Sequence, residues 1–120
     1  MKMLKVRILD TTLEAALLNP KTARRFDDGL KDVVAAANDS MKCTDGADAI
    51  EMQCNAVIKF VDDVFGPGSA QKVFGEETDL LTCLEAWEDL TNLYETQVNP
   101  IVREYEKRIG NRLQEKQGED

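Results

Sequence analysis

Few side chains in this 120-residue chain could do chemistry, because it contains three cysteines and no histidine. Without histidine, the Ser-His-Asp and Cys-His arrangements of nucleophilic catalysis are absent, and so are most zinc sites. Cys43, Cys54 and Cys83 lie 11 and 29 residues apart, which fits neither a zinc site nor a disulfide framework. We therefore expect inert structural thiols, a reducing compartment, no enzymatic activity and no cofactor.

The densest acidic group flanks a glycine-rich break, with Asp62-Asp63 before it and Glu76-Glu77 and Asp79 after it. It lacks the D-x-[DN]-x-[DN]-G pattern of a calcium loop, so we interpret it as a solvated rim and predict no metal site. The glycines of the break do not form a G-x-x-x-x-G-K-[ST] phosphate loop. Helix termination explains them better.

Composition limits the kinds of partner that the chain can bind. The formal charge is −8, from 15 basic and 23 acidic side chains. This balance argues against direct binding to nucleic acids or anionic membranes, which require a basic surface. No segment approaches the roughly 18 consecutive apolar residues of a membrane span, and the first residues lack the apolar region of a signal peptide. We expect an intracellular protein.

The N-terminal residues predict a strand. Leu4, Val6 and Ile8 alternate with Lys5 and Arg7, and this period of two indicates a strand over residues 3–9. The next residues could turn the chain. Residues 13–18 could then return as a second strand, but their composition also suits a helix, so residues 1–18 form either a strand or a hairpin arm.

The remaining chain has the 3.6-residue apolar period of helices. Asn19-Pro20 predicts a helix over 20–40, Thr44 or Asp45 caps a second over 46–65, and further long helices follow at 79–97 and after Pro100. Ser69 is expected to cap a short helix over 70–74. Asn99-Pro100 either begins the fourth helix or kinks the third. The chain is thus predicted to be mainly α, a small bundle of three to four helices in one domain over 1–113, with a frayed polar tail over 114–120.

Some apolar surface should remain exposed, because four amphipathic segments in a small domain cannot all bury their full stripes. The candidates for partner binding lie at the edges of stripes or beside glycine and proline breaks: Phe60, Phe74, Tyr94, Val98 and Ile101. A partner helix would dock there with anchors at i, i+3, i+4 and i+7. Alternatively, the same surface self-associates and makes a homo-oligomer.

The segment from Cys54 to Leu90, CNAVIKFVDDVFGPGSAQKVFG followed by DLLTCLEAWEDL, resembles a family of small tail-morphogenesis proteins of phages and prophages of Gram-positive bacteria. The family's pattern is a D-x-x-F/L-G helix end, then G-x-G/S-[ST]-x-K-[IVL]-F-G, then C-x-x-A-F/W-E-x-[IVL]. The corresponding residues are Asp62 to Gly66, Gly66 to Gly75, and Cys83 to Leu90. The resemblance covers about residues 20–95. The Asn-Gly or Asp-Gly turn of the family's usual N-terminal hairpin is not evident.

The resemblance implies a chaperone-like tail-assembly factor in the cytoplasm of the bacterial host. Such a factor binds the apolar helices of the tape-measure protein while tail subunits polymerise around it, without enzymatic activity. Two alternatives stay open. The chain is an acidic inhibitor that occupies the nucleic-acid site of a host defence protein, or it is a structural tail component that remains in the virion.

Overall fold

The computed structural model describes the backbone of residues 1–118 and the side chains of residues 1–112. The described chain is mainly helical, as predicted, and it begins with a β-hairpin, one of the two predicted alternatives. Its α-helices are four longer ones and the short one that was expected after the first glycine break. The elements are β1 (Leu4–Ile8), β2 (Thr11–Ala15), α1 (Pro20–Ser40), α2 (Gly46–Phe65), α3 (Ser69–Phe74), α4 (Leu80–Thr91), a π-helical turn (Tyr94–Val98) and α5 (Asn99–Gly118).

The two strands form an antiparallel hairpin in which Val6 pairs with Leu13. Both of these side chains are buried on the same face, so the strand alternative for the start of the 13–18 segment is correct. The two-residue turn contains Leu9 with a φ of 55°, a left-handed conformation that costs a non-glycine residue about 1–2 kcal/mol. Asp89 on α4 holds this turn, because its carboxylate accepts the Leu9 N–H at 2.8 Å.

The free edge of β1 is closed by a side chain from the π-helical turn. The Gln97 carbonyl oxygen accepts the Arg7 N–H at 2.7 Å, and the Gln97 amide donates to the Arg7 carbonyl at 2.8 Å. This amide therefore pairs with the strand as a neighbouring strand would, and it satisfies backbone groups that an edge strand otherwise leaves open. It also fixes the hairpin against the helices.

Three of the long helices begin where cap chemistry predicts. The side chains of Asn19, Asp45 and Asp79 accept backbone N–H groups of the first turns of α1, α2 and α4 at 2.8–3.0 Å. The predicted cap of the short helix was wrong. Ser69 is the buried first residue of α3, and the carboxylate of Asp62, reaching over from α2, accepts the Ala70 N–H at 2.8 Å.

Glycines end α2 and α3, as predicted. Gly66 has a φ of 107° and Gly75 a φ of 76°, and these are conformations that L-residues with a Cβ rarely adopt. Each N–H group donates back to a carbonyl of the preceding helix, at 2.9 Å for Gly66 and 2.8 Å for Gly75. The break from Gly66 to Gly75 is therefore a structural corner that turns the chain twice.

The core is built around the crossing of α1 and α2. A Cβ atom at Gly29 would overlap the ring of Phe60, so the missing side chain forms the notch that receives this ring. Phe60 also contacts Phe26 edge-on, with ring centroids 5.1 Å apart, and Trp87 at 6.1 Å. The hairpin, α3 and α4 pack around this pair of helices, which contribute the buried side chains Phe26, Val33, Cys54, Val57, Phe60, Val61 and Val64.

The Asn99-Pro100 step does not cap a helix. Asn99 is itself helical, and its N–H donates to the Tyr94 carbonyl five residues earlier, which makes the π-helical turn. The chain runs through this turn into α5, and none of the side chains described in α5 is buried. α5 therefore projects from the rest of the molecule, which is elongated and measures 72 × 26 × 22 Å. It continues to Gly118, across most of the segment expected to fray, and residues 119–120 lie outside the described part.

Candidate helix-binding groove

The structure buries three of the five side chains that sequence analysis proposed for partner binding. Phe60, Phe74 and Val98 are all within the core, so their expected exposure is wrong. Phe60 fills the notch at Gly29, and Phe74 lies on α3, which packs against α2 and β2. Val98 is at the end of the π-helical turn that anchors the hairpin. These side chains hold elements together and are not available to a partner in this state.

Tyr94 is half-buried and has a structural role. Its hydroxyl donates to the Leu17 carbonyl at 2.7 Å, and its ring lies edge-on to Phe26 with centroids 4.9 Å apart. Burial, and secondarily the nearby charge of Asp27, raises the pKa of the Tyr94 phenol, so it remains a proton donor. Ile101, at the start of α5, is the one candidate that is exposed.

An apolar groove opens elsewhere, between α1, α2 and α4. Its volume is about 490 Å³, including the open mouth. Val57 and Cys83 form a buried floor, whereas Val34 and Leu84 on the rim are 52% and 45% exposed. The half-buried Trp87 also lines it. The remaining lining residues are Val33, Ala37, Asn38, Gln53 and Leu80.

The groove exists because no other element within residues 1–118 covers the space between α1 and α4. α1 has 21 residues, whereas α4 has only 12, and the chain then leaves through the π-helical turn and α5 projects from the body. The stripes of α1 and α4 are therefore wider than the surfaces that their neighbours bury. Val34, Leu84 and Trp87 all lie on the apolar faces of their helices, and periodicity shows which face is apolar but not which part of it is covered.

The chemistry of the groove is apolar. Asn38 and Gln53 are the polar side chains among its lining residues. Burial, and secondarily the neighbouring Cys54 thiol, raises the pKa of the Cys83 thiol to about 12. Since the thiolate is the nucleophile, Cys83 is unreactive at neutral pH. The groove can exclude water from an apolar surface, and it offers a ligand hydrogen bonds from two amides.

Two further properties concern the described residues. Their side chains include no group of three or more histidine, cysteine or acidic residues that could hold a metal ion. Their helices include none with both the length and the apolarity that crossing a membrane requires.

Fold and groove together define a mainly helical protein with an N-terminal hairpin and an open apolar groove. The sequence match gives the family: residues 9–119 match the model described as "Family of unknown function (DUF6673)", and the chain belongs to this family. No curated protein and no solved structure shows significant similarity to it.

Proposed function

We propose that this protein is a non-enzymatic phage tail-assembly factor that binds apolar helices of the tape-measure protein in the groove between α1, α2 and α4. The observation that carries the proposal is the open groove, in which Val34 and Leu84 remain about half-exposed above a buried apolar floor. The resemblance of the Cys54–Leu90 segment to tail-morphogenesis proteins supports the choice of client. The proposed site of action is the cytoplasm of the bacterial host.

The groove suits one amphipathic helix better than an extended peptide. Its walls are helices and its lining is made of side chains, so it presents no strand edge to pair with a peptide backbone. A client helix would place apolar anchors at i, i+3 or i+4, and i+7 against Val34, Leu84 and Trp87. Each buried aliphatic anchor contributes about 1.5–3 kcal/mol of burial free energy, and the ordering of the helix offsets part of it.

The acidic character of residues 1–98, called the body below, suits a protein that keeps an apolar client in solution. Residues 1–98 contain 10 basic and 18 acidic side chains, and a large net charge keeps a protein soluble while it holds an apolar client. The same charge repels nucleic acids and acidic clients. We therefore expect selection of apolar helices that are neutral or basic on their polar face.

Calorimetric titration of purified tape-measure fragments into the protein tests the proposal. Leu84→Glu and Val34→Glu place a charge on opposite walls of the groove, at side chains exposed enough to tolerate it. Each should weaken binding by about tenfold or more, since loss of one anchor costs about 1.4 kcal/mol or more. Leu18→Glu is the matched control, because Leu18 is 51% exposed and lies outside the groove.

Wild-type affinity in both groove variants, with circular dichroism unchanged, would contradict the proposal. Two other results would favour the competing functions. Protection of DNA from a purified host nuclease would support the inhibitor, and mass-spectrometric detection of the chain in purified virions at subunit stoichiometry would support the structural tail component.

A further inference from the structure

We propose that α5 of one copy of this chain docks into the groove between α1, α2 and α4 of a second copy, and so makes a head-to-tail assembly. The proposal joins two unpartnered apolar surfaces of the same molecule. One is the groove, with Val34 and Leu84 on its rim. The other is a short stripe on α5.

The α5 stripe consists of Ile101, Tyr105 and Ile109, which are 37%, 60% and 57% exposed. They are spaced at i, i+4 and i+8, so they lie along one face of the helix. A helix that stands alone in water gains little stability from its own hydrogen bonds, and an apolar stripe on it normally packs against a partner. The rest of this chain buries no side chain along the described length of α5.

Charge complementarity identifies a second copy as the occupant. α5 (Asn99–Gly118) carries five basic and three acidic side chains and is followed in the sequence by Glu119 and Asp120, whereas residues 1–98 carry 10 basic and 18 acidic side chains. The acidic parts of two copies, residues 1–98, repel each other. A basic helix and an acidic body attract, so the pairing of unlike parts is electrostatically favoured over the pairing of like parts.

The dimensions of the two surfaces also agree. The stripe from Ile101 to Ile109 extends over about 12 Å, and the groove wall from Leu80 to Trp87 over about 10 Å, at 1.5 Å per helical residue. α5 cannot reach the groove of its own chain in this structure, because it continues from the π-helical turn away from the body. Docking between different surfaces is heterologous, and it extends into rings or chains unless the geometry closes it.

The inference rests on the same groove as the proposed function, and it adds regulation to that function. A client helix and α5 of a second copy would compete for the groove, so self-association would keep it covered until a client arrives. Contact through one short stripe predicts weak association, which a client with more anchors displaces.

Sedimentation velocity of the full-length protein over a range of concentrations tests the inference. The wild type should associate further as concentration rises. Leu84→Glu places a charge on the groove rim and Ile109→Glu places one at the C-terminal end of the α5 stripe, and each should raise the dissociation constant by about tenfold or more. Asn111→Glu is the control for Ile109→Glu, because it introduces the same charge on the same helix away from the stripe, and it should associate like the wild type within about twofold.

An equimolar mixture of Leu84→Glu and Ile109→Glu distinguishes the head-to-tail arrangement from pairing of α5 with α5. The mixture retains one intact groove and one intact α5, so it should form a dimer that grows no further. Full association of Leu84→Glu alone would overturn the inference in favour of α5–α5 pairing. A wild type that stays monomeric, or a mixture that does, would also overturn it.

Failure of the inference and failure of the proposed function give different results. A monomeric wild type that binds tape-measure fragments through the groove removes the inference and leaves the function. Head-to-tail association without any binding of those fragments removes the proposed function and leaves the inference. Val34→Glu on the opposite wall repeats the test if Leu84→Glu does not fold.

Discussion

α2 and α5 are both 20 residues long, yet they have opposite relations to the rest of the molecule. α2 packs against α1, α3, α4 and β2, and its buried side chains include Cys54, Phe60 and Val64. α5 buries none of the side chains described for it. The difference shows that helix formation and helix burial are separate outcomes of a sequence. The first follows from local chemistry and the second from which neighbours the chain brings into contact.

The contrast also separates stability from recognition. Substitutions of the buried α2 side chains should lower the free energy of unfolding, because these side chains pack in the core. Substitutions along the α5 stripe should leave this free energy nearly unchanged and act on association. The groove lies between these extremes, since its floor belongs to the core and its rim to the surface.

The largest expected effect is at the centre of the core. Phe60→Ala should lower the free energy of unfolding by about 3–5 kcal/mol, because it empties the notch at Gly29 and removes two aromatic contacts. Tyr105→Ala on α5 should stay within about 0.5 kcal/mol of the wild type. Urea denaturation followed by circular dichroism measures both. An equal loss of unfolding free energy in the two variants would contradict the stated difference between α2 and α5.

A second contrast uses glycines at the end of α2 and inside α5. Gly66→Val should cost about 1–3 kcal/mol, since the backbone has a φ of 107° there. Gly110→Ala has open space around the added methyl group and should increase helicity, with a gain of up to about 1 kcal/mol. The same denaturation experiment checks the first change, and the ellipticity at low temperature checks the second. A neutral Gly66→Val variant would show that this corner is not constrained.

A smaller loss is expected where the π-helical turn meets the hairpin. Gln97→Ala removes both hydrogen bonds to the backbone of Arg7 and should cost about 1–2 kcal/mol, at about 1 kcal/mol for each bond. Amide hydrogen exchange should rise at Arg7 more than in α1. Glu95→Ala, an exposed change in the same turn, is the control and should leave exchange in β1 as it is. Unchanged protection of Arg7 in the Gln97 variant would show that another group closes this edge.

The smallest effect depends on pH. Hydrogen bonds from the backbone and then the hydroxyl of Thr82 lower the pKa of the Asp79 carboxyl. A folded-state pKa below the unfolded value of about 3.9 stabilises the protein above that pH, and the contribution is lost as pH falls through the lower, folded value. Asp79→Ala should thus be less stable than the wild type at pH 7, with a difference that shrinks in acid. A difference that is constant from pH 7 to pH 2 would contradict this account.

Local signals in the sequence predicted most of the fold. Asn19, Asp45 and Asp79 cap helices, and Gly66 and Gly75 end them, because each of these events depends on a few neighbouring residues. The step Asn99-Pro100 has the same composition as Asn19-Pro20 but a different structure. Asn19 is extended with a ψ of 132°, as a cap must be, whereas Asn99 is helical with a ψ of −34°. Asn99 is helical because the π-helical turn precedes it. The Asn-Pro dipeptide alone does not show whether such a turn precedes it.

The binding surface could not be predicted to the same extent. The position of Phe60 depends on where α1 crosses α2, since the notch at Gly29 exists only at that crossing. Likewise, Leu84 and Val34 become a rim only because α5 leaves the body uncovered on that side. Periodicity identified the apolar stripes correctly, but the exposed parts of a stripe are set by contacts between elements distant in sequence.

Trp87 provides the most direct test of the claim that the groove binds a helix. It is the only tryptophan of the chain, it is half-buried, and it lines the groove. A tryptophan-free peptide that copies an apolar helix of the tape-measure protein is titrated into the wild type, Leu84→Glu and Leu18→Glu. The account predicts a saturable blue shift of the Trp87 emission and weaker quenching by acrylamide in the wild type and in Leu18→Glu, and in Leu84→Glu the same changes only at about tenfold or higher peptide concentration. Binding of the peptide by calorimetry without any change at Trp87 would contradict it.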